Sequence, residues 1–121
     1  MVIGCDIVLI SRIEKSYNKH KQLFLDKFLS KDEQKIITNA SSLAGFFAAK
    51  EAALKALGVG ISSEAGFLDV KISKDHKNKP LLDFSEKVNK NFGIKSSSLS
   101  ISHDGGFAIA VVALECEKEG K

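Results

Sequence analysis

A chain of 121 residues, 44% hydrophobic and 27% charged, has the make-up of one globular domain, large enough for a core but small for an enclosed active site. It contains no apolar run of the roughly 20 residues that span a bilayer, and its apolar start lacks a basic leader and a small-residue cleavage site, so neither membrane nor export is expected and the chain reads as cytoplasmic. The net charge of +3 is compatible with an acidic protein, a phosphate ligand or nucleic acid, without choosing among them.

Val2 to Ile10 is nearly continuous in apolar, β-branched residues, and predicts a strand buried on both faces. From Ser11 to Leu29, Ile13, Tyr17, Leu23, Phe24 and Phe28 recur at helical intervals among lysines, predicting one or two short amphipathic helices. Ser30-Lys31-Asp32-Glu33 matches a capping box, with a short helix to about Asn39. Ser41 or Ser42 is expected to cap the longest helix, which runs to Leu57 and ends at Gly58. A strand over Gly66 to Ser73 is followed by a turn at Asp75 to Lys79, a short strand at Leu81 to Phe84 and a brief helix from Ser85 to Phe92. Ser98 to His103 alternates strictly, Asp104-Gly105-Gly106 reads as a tight hairpin turn, and Phe107 to Leu114 as the last strand. The expected fold is α+β, a mostly antiparallel sheet packed on one long helix. Cys5 and Cys116 lack metal-ligand spacing and are expected to be reduced, buried thiols.

Several residues break these patterns. Asp6 lies inside an apolar strand, where a carboxylate costs several kcal/mol unless paired, hydrogen-bonded or bound to metal; a structural role and a metal-binding role fit equally. Lys50 falls in the middle of the long helix's apolar stripe and calls for a carboxylate partner or a route to solvent. Glu51 and Lys55, one turn apart, read first as an ordinary helix ion pair. Gly58-Val59-Gly60 allows backbone to approach a phosphate, although a glycine after a helix is more often a cap. By parity His103 shares the face of Leu99 and Ile101, where a structural role is the commoner one. There is no His/Cys cluster for zinc, no Gly-x-Ser-x-Gly elbow and no Walker-type loop. Two carboxylates near lysines point instead to a hard cation carrying phosphates.

Ile3-Gly4-Cys5-Asp6-Ile7-Val8 resembles the amino-terminal Gly-x-Asp-Ile motif of bacterial holo-acyl-carrier-protein synthases. Phe47-Ala48-Ala49-Lys50-Glu51-Ala52-Ala53-Leu54-Lys55-Ala56-Leu57-Gly58 resembles that family's second and most specific motif. Lys79-Pro80 and Ser100-Ile101-Ser102-His103 resemble the remaining two, in the same order over nearly the whole chain. The resemblance implies transfer of the 4′-phosphopantetheine arm from coenzyme A to a serine of apo-acyl carrier protein, in support of fatty acid biosynthesis. Adenosine 3′,5′-bisphosphate is the product that leaves.

It further implies magnesium on Asp6 and Glu51, Glu51 as the candidate general base, and Lys55 against the departing phosphate. Coenzyme A contacts are implied at Phe47, Lys55, Gly58, Gly60, Ile61, Lys79, Pro80 and His103. Short members of the family resemble homotrimers with active sites at subunit interfaces, so Asp6 and His103 are expected to face Glu51 from a neighbouring subunit. Arg12, Lys15, Lys19 and Lys21, with Lys27, are expected to dock the acidic carrier protein. The sequence departs from the family at Phe46, where an arginine is usual, at Val59 for threonine and at Asn78 for glycine. The competing reading is a non-catalytic module of the same fold that binds a nucleotide or an acidic protein. An RNA-binding domain is disfavoured, because no aromatic-rich strand is present and the lysines are interleaved with acids.

Overall fold

The computed structural model describes residues 1–59 and 64–117. The chain begins with β1 (Val2–Leu9) and three short helices, α1 (Ile10–His20), α2 (Gln22–Phe28) and α3 (Lys31–Ile36), and continues with the long α4 (Ala40–Leu57). A 3-10 turn (Phe67–Asp69) leads into β2 (Val70–Lys74) and β3 (Pro80–Phe84), followed by α5 (Glu86–Phe92), β4 (Ile94–Asp104) and β5 (Phe107–Cys116). Two antiparallel sheets form in place of one: β1-β5-β4, and the separate hairpin β2-β3. Both pack with α4 around a common core, so the α+β class holds while the sheet is divided.

Local chemistry explains the boundaries. The capping box at Ser30 is present: its Oγ accepts from the Glu33 amide at 3.2 Å, and Glu33 Oε1 accepts from the Ser30 amide at 2.8 Å. α3 ends at Ile36, short of the expected Asn39, because Asn39 is the N-cap of α4. Asn39 Oδ1 accepts from the Ser42 amide and Ser42 Oγ accepts from the Asn39 amide, so Ser42 is the third helical residue and not the cap. Gly58 ends α4 in the left-handed conformation at φ 76°. Gly66 to Ser73, read as one strand, opens with the 3-10 turn instead, and Asp69 there accepts from the Gly66 amide and the Ser85 hydroxyl. Gly105 and Gly106, at φ 57° and 84°, make the two-residue turn between β4 and β5, as a type I′ hairpin requires.

β1 is not buried on both faces. Gly4 and Val8 are buried while Ile3 and Ile7 are 64% and 55% exposed, so the strand alternates. The register places Ile3, Ala113 and Ser98 in one row, Cys5, Val111 and Ser100 in the next, and Ile7, Ile109 and Ser102 in a third. This outer face is apolar on β1 and β5 and hydroxylated on β4. Cys5 lies on it as an exposed thiol and Cys116 is half-buried; both are free, so their reduced state agrees with the sequence and their burial does not.

α4 buries Ala44, Ala48, Ala49, Ala52 and Ala53, small residues that let its backbone approach the sheet. The approach is closest at Gly4, where a Cβ would overlap the Ala52 carbonyl oxygen and crowd the Ala56 amide. Lys50 is fully buried, and the carboxylate that it calls for is Glu33 of α3, at 2.7 Å. Lys50 also donates to the Phe67 carbonyl, and Glu33 Oε2 accepts from the Ile72 amide of β2. One buried ion pair therefore ties α3, α4, β2 and the 3-10 turn together.

Candidate active site

Gly4 sets the geometry of the site. With β1 pressed on the helix backbone at Ala52 and Ala56, the next inward side chain of the strand, Asp6, reaches the helix face that carries Glu51 and Lys55. Lys55 Nζ donates to Asp6 Oδ1 at 2.8 Å and to the Cys5 carbonyl at 3.2 Å. Lys55 is thus bound to the strand, and the helix ion pair with Glu51 is not what forms. The hydrogen bond to Asp6 is the main cause that holds the Lys55 ammonium above its usual range.

Glu51 is half-buried, and burial pushes its carboxyl above the ordinary glutamate value. The charge of Asp6 pushes in the same direction, while Lys55 and Arg12 oppose it. Lys55, one turn from Glu51 on α4, is bound to Asp6 of the same chain, so the two carboxylates share one neighbourhood there, and the expectation that Asp6 faces Glu51 only from a neighbouring subunit is corrected. The long reach in sequence is closed by β1 and α4 packing side by side.

Such a centre can bind a cation and move a proton. Among the described residues no third histidine, cysteine or carboxylate joins Asp6 and Glu51. Two hard oxygen donors suit magnesium, which keeps several waters and takes its remaining ligands from phosphates. The proton affinity of Glu51, raised in part by Asp6, is the repulsion that a divalent ion between them would relieve.

A second cluster forms at the other end of α4. His103 Nε2 is 2.8 Å from the Ser41 carbonyl oxygen, to which it donates, and its ring lies against Gly45, where a Cβ would come within 3.1 Å of Nε2. His103 borders a cleft of about 180 Å³ with Ser42, Gly45, Phe46, Lys74, Asn78, Pro80 and Ile101. From Ser41 to Glu51 the helix rises roughly 15 Å at 1.5 Å per residue, so within one chain His103 and the Asp6–Glu51 centre are apart. Lys79 lines a different recess, with Leu82, Ser97 and Ser98.

Other residues singled out in the sequence fall elsewhere. The Phe47 ring joins an aromatic cluster with Phe24, Phe28 and Phe67, at centroid distances of 6.3, 5.3 and 5.8 Å. Gly58 is exposed one turn beyond Lys55. Gly60 and Ile61 lie outside the described residues. Arg12, Lys15, Lys19 and Lys21 are all exposed along α1 and at its end, and Arg12 is close enough to Glu51 to lower its proton affinity. A larger cavity of about 400 Å³ between α1, α2, α3 and the start of α4 contains none of the site residues read from the sequence. Glu33, read from the sequence only as part of a capping box, is also the buried partner of Lys50.

A sequence model of the 4′-phosphopantetheinyl transferase superfamily matches residues 2–112. The holo-[acyl-carrier-protein] synthase of Campylobacter lari is 65% identical to this chain, over 94% of the chain and 98% of the relative. The Helicobacter pylori holo-[acyl-carrier-protein] synthase solved in complex with coenzyme A superposes with a TM-score of 0.90 at 54% identity, covering 93% of this chain and 99% of that one. A Bacillus anthracis synthase solved with coenzyme A (3′,5′-ADP) gives a TM-score of 0.80 at 37% identity, covering 96% of each chain.

Proposed function

Because the chain belongs to the 4′-phosphopantetheinyl transferase superfamily, we propose that Asp6, Glu51 and Lys55 are the transfer centre of its reaction. The reaction is that of a holo-[acyl-carrier-protein] synthase: the phosphopantetheine arm of coenzyme A passes to a serine of apo-acyl carrier protein. The serine oxygen bonds to the phosphorus nearer the arm, the bond to the adenosine 5′-phosphate oxygen breaks, and adenosine 3′,5′-bisphosphate leaves. In this reading residues 1–121 are one transferase domain acting in the cytoplasm. No helix among the described residues is long and apolar enough to cross a membrane.

The observation that carries the assignment is the meeting of two carboxylates and a lysine on adjoining faces of β1 and α4. Glu51 accepts the serine proton. Glu51 does so directly or through a metal-bound water. Lys55 offsets the charge on the departing bisphosphate once it leaves Asp6. Asp6 and Glu51 hold Mg²⁺, which when bound neutralises pyrophosphate charge. Arg12, at the start of α1, is near enough for its charge to act on Glu51, which supports docking of the acidic carrier along Arg12, Lys15, Lys19 and Lys21, with its serine directed to the base.

We propose that the active unit is a homotrimer. The uncovered apolar rows of β1 and β5 support this assembly. So does the separation along α4, which lets the His103 cleft of one copy meet the Asp6–Glu51 centre of another. Coenzyme A then spans the boundary, with its nucleotide against Pro80 and His103. The test is incubation with Mg²⁺, coenzyme A and apo-carrier protein. One phosphopantetheine mass added to the carrier by the wild type, and none by Asp6→Ala or Glu51→Ala of normal fold, is the expected result. Near-full rates in either variant overturn the centre.

A further inference from the structure

The buried pair Lys50–Glu33 lies one layer below the cleft that His103 borders. One wall of that cleft is α4, through Ser42, Gly45 and Phe46, and another is the β2–β3 hairpin, through Lys74 and Pro80. Lys50 follows Phe46 by one helical turn on the same side of α4, and Ile72 precedes Lys74 by two residues on the same face of β2. Below the two walls, therefore, come Lys50 on the helix and Ile72 on the strand. Glu33 bonds to both: Oε1 accepts from Lys50 Nζ at 2.7 Å, and Oε2 accepts from the Ile72 amide at 2.8 Å.

The hairpin depends on this bridge for its position. Among the described residues β2 pairs with β3 alone, so the outer edge of β2 has no strand beside it. The Glu33 carboxylate takes the place of that strand at Ile72, and Lys50 holds the 3-10 turn ahead of β2 through the Phe67 carbonyl at 3.1 Å. On the opposite edge Ser97 donates to the Leu82 carbonyl of β3 at 2.8 Å. The hairpin is thus fixed from both edges, to β4 on one side and, through a carboxylate, to α4 on the other. A buried ion pair is a poor route to stability, since apolar residues of similar volume often serve as well or better. What apolar residues lack is direction. Hydrogen bonds from a lysine and two amides to one carboxylate fix a separation that packing alone lets drift.

We propose that Glu33 and Lys50 are positioning residues for the transfer reaction: they set the gap between α4 and the hairpin, and with it the affinity for the nucleotide of coenzyme A. Both are buried, so they act through the cleft walls and not by contact with the substrate. This rests on the reading above that the nucleotide lies against Pro80 and His103.

The experiment measures steady-state transfer to apo-carrier protein by the full chain with Mg²⁺, beside urea unfolding. Lys50→Met with Glu33→Leu removes the charges and the bridge together. It is expected to regain part of the stability that Lys50→Met alone loses, yet to keep a KM for coenzyme A raised roughly tenfold. Its kcat and its KM for carrier protein stay within about twofold of wild type. Glu33→Gln, which keeps the shape but offers one acceptor oxygen in place of two, raises the same KM. Adenosine 3′,5′-bisphosphate, titrated calorimetrically, binds both variants more weakly by the same factor. The positioning role is overturned if the KM for coenzyme A returns towards wild type as stability does, if Glu33→Gln leaves it unchanged, or if the KM for carrier protein rises equally. His103→Ala separates the two levels. An unchanged KM for coenzyme A removes the nucleotide from this cleft and the proposal with it, whereas a raised KM beside wild-type values in both Glu33 variants overturns the positioning role alone.

Discussion

The carboxyl of Glu51 holds its proton more tightly than an exposed glutamate, because it is half-buried and faces Asp6. Its proton affinity is raised in the folded state, so the stabilising effect of the protonated form is present below the unfolded value and is lost as pH rises through the folded one. At neutral pH the ionised side chain therefore costs stability. Glu51→Gln is expected to melt at a higher temperature than wild type at neutral pH, to lose that advantage in acid, and to transfer nothing. The acid limb of kcat/KM should move to lower pH as Mg²⁺ is raised, because an ion held by Glu51 opposes its protonation, and a limb indifferent to Mg²⁺ would separate Glu51 from the metal site.

Lys55 gives a second consequence at this scale. It occupies Asp6 at 2.8 Å, so a cation entering at Asp6 has to displace it. Lys55→Met is expected to bind Mg²⁺ several-fold more tightly than wild type in the absence of coenzyme A, by calorimetric titration, while transferring more slowly. Weaker or equal binding would mean that the ion does not compete for Asp6.

Among elements, the buried pair Lys50–Glu33 joins α3 to α4 and, through the Ile72 amide and the Phe67 carbonyl, to the β2 side of the molecule. Burial holds the Lys50 ammonium below its usual range, and Glu33 opposes that shift. Lys50→Met leaves a buried charge uncompensated and is expected to cost about 3–5 kcal/mol in urea unfolding. Lys50→Met with Glu33→Leu should recover part of this, though the Ser30 and Ile72 amides then lose their acceptor. No recovery would show that the backbone bonds to Glu33 outweigh the ion pair.

Much of this layer was legible in the sequence. Lys50 in an apolar stripe called for a carboxylate, and Ser30-Lys31-Asp32-Glu33 read as a cap. That one glutamate serves both was not legible, because Glu33 satisfies its local motif without any distant partner. The outer face of β1 was misread for a related reason. Ile3, Ile7 and Leu9 are as apolar as core residues, and composition does not say which side of a strand a single chain covers. Asp6 and Glu51 were named from motifs, but their meeting in one chain depends on the Gly4–Ala52 approach, which no spacing rule contains.

At the scale of the whole molecule, the rows Ile3–Ala113–Ser98, Cys5–Val111–Ser100 and Ile7–Ile109–Ser102 make up the outer face of the three-stranded sheet. Ile7 is 55% and Val111 40% exposed, more apolar surface than a lone domain gains from showing. Wild type is expected to sediment as the proposed trimer, and Ile7→Lys with Val111→Lys as a folded monomer with transfer largely lost. A monomer of full activity would place the whole site in one chain.

The contact at Gly4 also has a genetic consequence. A larger residue there meets a carbonyl oxygen of the helix backbone, which every amino acid at position 52 would supply. A defect at this glycine should therefore find no suppressor on the facing helix turn, whereas losses at Lys50 or Ile7 can be answered by changes in their partners. In a selection for revertants, Gly4 should yield true back-mutations almost alone.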